Sequence, residues 1–197
     1  QIHLFMDLLQ LLDTYKKFYA QYERRPKSLS EFCEKASVSR RDFKKHFKSL
    51  FGIERYIWES FALETIQRVQ SAPQFNEFYA QDKMMAFYFT LLEVLNQDAS
   101  FVKTNLQRMS KTAFISDYTD KFRIAFMRFV EHVLQEADEQ EDDDVKLRPF
   151  ISSQYPRFFW LQLIAILNYW KKDDSEGNEM TDAFVEKSVQ LSFDLIS

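Results

Sequence analysis

The chain has 197 residues, a formal net charge of −4, 46% hydrophobic residues including 21 Phe, and only two Gly and four Pro. That much apolar side chain excludes disorder as a general state, and so few turn formers exclude a sheet protein. The expected fold class is all-α, with one Cys, Cys33, ruling out an internal disulfide and fitting a reducing cytoplasm.

Residues 2–22 carry Leu4, Phe5, Leu8, Leu11, Leu12, Tyr15, Phe18 and Tyr19 at helical spacing and predict a first helix, broken at Arg24-Arg25-Pro26-Lys27. Residues 28–49 read as two short helices joined by a tight turn. Ser28 caps the first, with Glu31 completing a capping box, and Phe32, Cys33 and Ala36 share its inner face. Val38 plugs the turn. Ser39 and Asp42 form a second box, opening a helix on which Phe43 and Phe47 face inward. Arg40, Arg41, Lys44, Lys45 and Lys48 are left to face water or a polyanion. An apolar-backed basic helix docked on a capped partner is how a helix-turn-helix meets DNA. Charge agrees: twelve Lys/Arg stand against seven Asp/Glu through Arg55, and fourteen against twenty-three beyond it.

A long helix is expected over residues 53–70, stopping before Pro73. Further helices are expected over 74–97, 100–109 and 112–136. The acidic run 137–144 predicts a mobile loop by self-repulsion, and it lacks the glycine and terminal Glu of a calcium loop. From Phe158 to Trp170 eleven of thirteen residues are apolar on all sides, too few to span a bilayer, which takes about 20. Such a helix must be covered on every face. A second subunit is the expected cover, through Phe159, Leu163, Ile164, Leu167 and Trp170, with Phe184, Val189 and Phe193 of a last helix over 181–196. The domains expected are 1–52 for the motif and 53–197 for a helical ligand-binding and dimerisation domain.

Residues 32–49, from Phe32-Cys33-Glu34-Lys35-Ala36-Ser37-Val38-Ser39 to Phe47-Lys48-Ser49, resemble the TetR family of transcriptional regulators. The family pattern is Ile-Ala-x-x-Ala-Gly-Val-Ser-x-x-Thr-(Leu/Phe)-Tyr-x-(His/Tyr)-Phe-x-(Ser/Asn). Three positions depart from it. Ser37 stands for the turn glycine, Lys44 for a DNA-contacting Tyr, and Leu50-Phe51-Gly52 for a segment holding a phosphate contact. The last change gives residues 43–52 a partial likeness to an AraC-type motif.

The resemblance implies a homodimeric, small-molecule-responsive repressor on a palindromic operator in double-stranded DNA. Ser28, Ser39, Arg40, Arg41, Asp42, Lys44, Lys45, His46 and Lys48 are the expected DNA contacts, with Asp42 more a cap than a base reader. An apolar or aromatic effector is implied in the C-terminal domain, near Phe75, Phe78, Phe87, Phe101, Phe122, Phe126 and Trp160. The alternative is a TetR-fold protein that no longer binds DNA and binds a lipid or protein partner. Scattered His3, His46 and His132, with no metal-spaced Cys and no glycine-rich phosphate loop, predict no catalysis, metal or cofactor. Residues 1–5 lack a basic start and a cleavage site, so the expected location is the cytoplasm, with no membrane partner.

Overall fold

The structure, a computed structural model, describes residues 7–108, 118–140 and 154–196. Among the described residues it is helical with no strand. α1 (Leu8–Tyr22), α2 (Leu29–Lys35), α3 (Arg40–His46), α4 (Leu50–Gln70), α5 (Ala80–Gln97), α6 (Ala99–Arg108), α7 (Asp120–Gln140), α8 (Tyr155–Trp170) and α9 (Glu179–Ile196) follow in order. Most boundaries lie within a few residues of expectation, because caps mark them. Asp7 accepts the Gln10 N–H at 2.7 Å, and the Gln10 side chain accepts the Asp7 N–H, which starts α1. Glu23 ends it in the left-handed region, at φ 49°.

Two expectations change. The helix expected over 74–97 splits, because Phe78 is extended at ψ 139°. It leaves a 3-10 turn over Phe75–Glu77 and a separate α5. The acidic run does not interrupt α7 at once, since its backbone stays helical through Gln140. The remainder of that run lies outside the described residues, as do Leu4, Phe5, His3 and the expected start of the helix over 112–136.

The chain divides into two compact units: Gln1–Glu59 with Leu95–Lys121, and Ser60–Val94 with Phe122–Ser197. The unit holding the motif therefore runs past the expected boundary at residue 52 and takes in α6. The reason is aromatic packing. The Phe101 ring of α6 lies 4.9 Å from Tyr19, 6.5 Å from Tyr15 and 6.4 Å from Trp58. Lys16 of α1 also pairs with Asp98 at 2.6 Å. The start of α7 is fixed to α4 in the same unit, by Arg55 with Asp120, Lys121 with Glu59 at 2.7 Å, and Phe51 against Tyr118 at 4.5 Å.

In the larger unit, the described core is a run of rings. Phe87 stacks on Phe129 at 5.0 Å and meets Phe126 at 5.1 Å. Trp160 meets Phe126 at 6.0 Å and Phe122 at 5.9 Å. One neutral hydrogen-bond chain crosses it. The Tyr88 hydroxyl donates to Gln162 at 2.9 Å, and the Gln162 amide donates to the Ser192 hydroxyl at 2.9 Å.

Candidate nucleic-acid interface

α2 starts at Ser28, whose Oγ accepts the Glu31 N–H at 3.1 Å. The reciprocal half of the expected box is replaced. The Glu31 carboxylate takes Arg24 at 2.5 Å and the Lys27 N–H at 2.6 Å, since a guanidinium offers a stronger, charge-assisted bond than the capping N–H. The Arg24 hydrogen bond, followed by that from Lys27, lowers the Glu31 pKa to about 2. α2 ends in a Schellman turn, with the Val38 N–H donating to the Cys33 carbonyl at 2.9 Å and the Ser37 N–H to Glu34 at 3.4 Å. Such a turn needs a left-handed residue, and Ser37 adopts φ 53° where the family pattern has Gly.

α3 opens at Ser39, which accepts the Asp42 N–H at 3.0 Å and donates to the Asp42 carboxylate at 2.6 Å. Asp42 is thus engaged with the cap and half-buried. Behind α3, Phe43 is fully buried and Phe47 nearly so. Phe43 meets Phe32 at 5.9 Å, and Phe47 meets Tyr56 of α4 at 5.6 Å. In front, Ser28, Ser39, Arg40, Arg41, Lys44, Lys45, His46 and Lys48 are all exposed. Arg40 reaches back to donate to the Ser30 hydroxyl of α2. A seven-residue helix with an apolar back fully covered and a basic front left in water can lie against a polyanion without disturbing its own packing.

One residue that sequence reasoning missed holds this motif to its unit. Glu54 of α4 is 0% exposed. Its Oε1 accepts from the Tyr19 hydroxyl at 2.7 Å, the Tyr15 hydroxyl at 2.9 Å and Arg25 Nε at 2.8 Å, with Arg108 Nη1 at 3.8 Å. Burial, then the neighbouring Glu54 charge, pushes both tyrosine hydroxyls far above their ordinary range. Burial works against the charge on Arg25, but Glu54 outweighs it, and the Arg25 pKa is raised. A signal was present in the sequence: Glu54 shares a helical face with Trp58 and Phe61, where an acid must find partners.

Residues 83–197, more than half of the chain, match the family model described as Tetracyclin repressor-like, C-terminal domain. The chain belongs to the TetR family. No curated protein matches it. The family model covers the C-terminal part, whereas the resemblance rests on residues 32–49, so two non-overlapping stretches agree. The chain is a transcriptional regulator of the TetR type, from a family of regulators rather than enzymes.

Within this TetR-family chain the residues expected around an effector separate. Phe87, Phe122, Phe126 and Trp160 come together in the larger unit, and Phe75 joins them through Phe129 at 6.4 Å. Phe78 is half-buried at the break before α5. Phe101 does not belong with them, because α6 faces α1 and buries that ring in the motif unit.

The residues expected at a subunit interface also divide by burial within the single chain. Phe159, Leu163, Leu167, Trp170 and Val189 are buried within the chain's own unit, and Ile164, Phe184 and Phe193 are half-buried. Phe159 packs on Phe193 at 5.6 Å, so a single chain already covers that side of α8. Among the described residues, the large apolar side chains exposed on α8 and α9 are Phe158 (39% exposed), Leu161 (57%), Met180 (57%), Leu191 (58%) and Leu195 (68%). Among the described residues no group of side chains could hold a metal ion, and no helix is long and apolar enough to cross a membrane.

Proposed function

We propose that the protein is a homodimeric repressor that reads a palindromic operator with α3 and releases it on binding an apolar or aromatic effector. The observation that carries this reading is the division of α3. Phe43 and Phe47 are sealed inside, while Arg40, Arg41, Lys44, Lys45, His46 and Lys48 all stand exposed. Arg40 and Arg41 lie in the first turn, where side chains reach base edges, and Lys45, His46 and Lys48 with Ser28 suit phosphates. One such helix reaches only a few base pairs, so specificity requires two copies. The uncovered stripe of Phe158, Leu161, Leu191 and Leu195 supports α8 and α9 as the pairing surface. The ring cluster around Phe87, Phe126 and Trp160 supports an apolar effector in the larger unit.

Selection from a random duplex library, followed by gel-shift at two salt concentrations, tests the reading. Selected duplexes should share two inverted half-sites. Arg41→Ala should lose about 1–3 kcal/mol and relax preference at one base position. Lys48→Ala should weaken all sequences alike and lower the salt slope by about one counterion. If both variants bind like the parent, α3 is not the reading helix, and a lipid or protein partner becomes the better account. Leu191→Glu should leave a folded monomer by sedimentation; a dimer that survives both this change and Leu161→Glu removes the α8–α9 pairing.

A further inference from the structure

We propose that Glu54 is a positioning residue for DNA reading: its buried carboxylate chooses between Arg25, at the start of the motif, and Arg108, at the end of α6, and so couples the two. The proposal rests on the DNA-reading function above. It starts from an uneven load. Oε1 accepts from two tyrosine hydroxyls and from Arg25 Nε, all within 2.9 Å, while Oε2, equally buried, accepts no hydrogen bond. A carboxylate offers roughly four lone-pair sites over its two oxygens, so one side is crowded and the other idle. An idle buried acceptor is unfavourable and draws any donor that can reach it.

Arg108 is that donor. Its Nη1 stands 3.8 Å from Oε1, beyond hydrogen-bond distance, and its side chain is 37% exposed. Moving onto Oε2 would satisfy the idle oxygen and draw the carboxylate charge away from Arg25. The proposal requires the site to take two arrangements, one with Arg108 at 3.8 Å from Oε1 and one with Arg108 on Oε2.

The two ends of this choice lead to different places. Arg25 is followed by buried Pro26, then by Lys27, whose N–H is held by Glu31, and by Ser28, which caps α2. A change at Arg25 therefore reaches α2 and the helix it supports. Arg108 closes α6, which carries no motif residue. The chain passes between the two units at three places: inside α4 after Glu59, after Val94 and after Lys121. Glu54 thus sits on α4, which itself runs on into the other unit, and faces Arg108 in a stretch that is covalently continuous with that unit at both ends.

Coupling between two sites is reciprocal, which gives a test that needs no effector. Amide hydrogen exchange is measured on the full chain, alone and saturated with a duplex selected by the wild-type protein. The duplex should slow exchange over residues 99–108 by at least about fivefold, the low end of the usual coupling range, although α6 lies outside the motif. Arg108→Met should abolish that slowing while α3 stays protected, at an unchanged thermal midpoint, and Arg108→Lys should restore part of it. Glu54→Gln should likewise abolish the slowing, but at a lowered thermal midpoint; if it does not fold, the Arg108 variants decide alone. Protection of α3 with no change in α6 overturns the proposal, and so does α6 protection that persists in Arg108→Met. If the wild-type chain retains no duplex, DNA reading itself fails. The coupling is then judged without DNA: Arg108→Met must alter exchange over residues 24–35 as well as in α6, and a change confined to α6 overturns it.

Discussion

Both units join their helices through rings, but in the motif unit a fully buried carboxylate stands at the junction as well. Glu54 gathers α1, the loop before α2 and the end of α6 around one carboxylate. Phe87, Phe126, Phe129 and Trp160 join α5, α7 and α8 with no directional bond among them. Ring pairs prefer offset or edge-on geometries but have no donor or acceptor to leave unpaired when they shift. A buried charge demands particular donors at particular angles, so its neighbours hold one arrangement or change to another. The difference suits the proposed roles, since a reading helix must be oriented while a ligand chamber must yield.

Conservative changes on the two sides should expose this contrast most sharply. Glu54→Gln keeps the shape but leaves the Arg25 guanidinium without its counter-charge, and breaking a buried pair in this way costs about 3–5 kcal/mol. Phe126→Leu keeps an apolar side chain but removes part of a buried ring, and it should cost less than the about 3–5 kcal/mol of a full truncation to Ala. Urea unfolding of the two variants measures both. Equal losses would mean that the charge cluster is no more exacting than the rings.

The same contrast explains what was legible in the sequence. The motif was readable in detail because Ser28, Ser39, Phe43 and Phe47 act locally: caps and one-turn spacing are properties of neighbouring residues. Family membership agrees from the other end of the chain. Glu54 was not read, because its partners lie 29 to 39 residues away, and at Arg108 farther still, where no spacing rule reaches. What covers α8 was not legible for a related reason. An all-round apolar helix announces that it is covered but not by what, and Phe159, Leu163 and Trp170 turn out to be covered by their own chain. Phe101 was grouped with the effector rings by composition, whereas α6 takes its place from contacts with α1.

A smaller effect separates the turn of the motif from the rest of its unit. Ser37 holds φ 53°, a conformation that costs an L-residue more than it costs Gly. Ser37→Gly should stabilise the chain by about 0.5–1 kcal/mol, the gain being trimmed by the greater freedom of Gly in the unfolded state. Thermal unfolding measures it, and a loss of stability would mean that the Ser37 side chain contributes a contact worth more than the relief of the turn.

Acid should affect both units over the same window. In the motif unit the Arg24 hydrogen bond, then that of Lys27, holds Glu31 at about 2, below its ordinary 4.5. In the larger unit, hydrogen bonds from Ser175 and then Thr181 hold Asp173 at about 2, below 3.8, where it caps the start of α9 through the Thr181 N–H at 2.8 Å. Both carboxylates bind protons more weakly folded than unfolded, so the unfolded state gains protons first as pH falls. Their contribution to stability is full above the unfolded values and is lost as pH drops from about 4.5 towards about 2. Glu31→Gln and Asp173→Asn should each flatten the acid limb of a stability-against-pH curve in that window. Both effects should be small and weaken with added salt, because the groups lie near solvent. An acid limb unchanged in either variant would show that the corresponding carboxylate keeps the same proton affinity folded and unfolded, and that its helix start is held by the remaining backbone contacts alone.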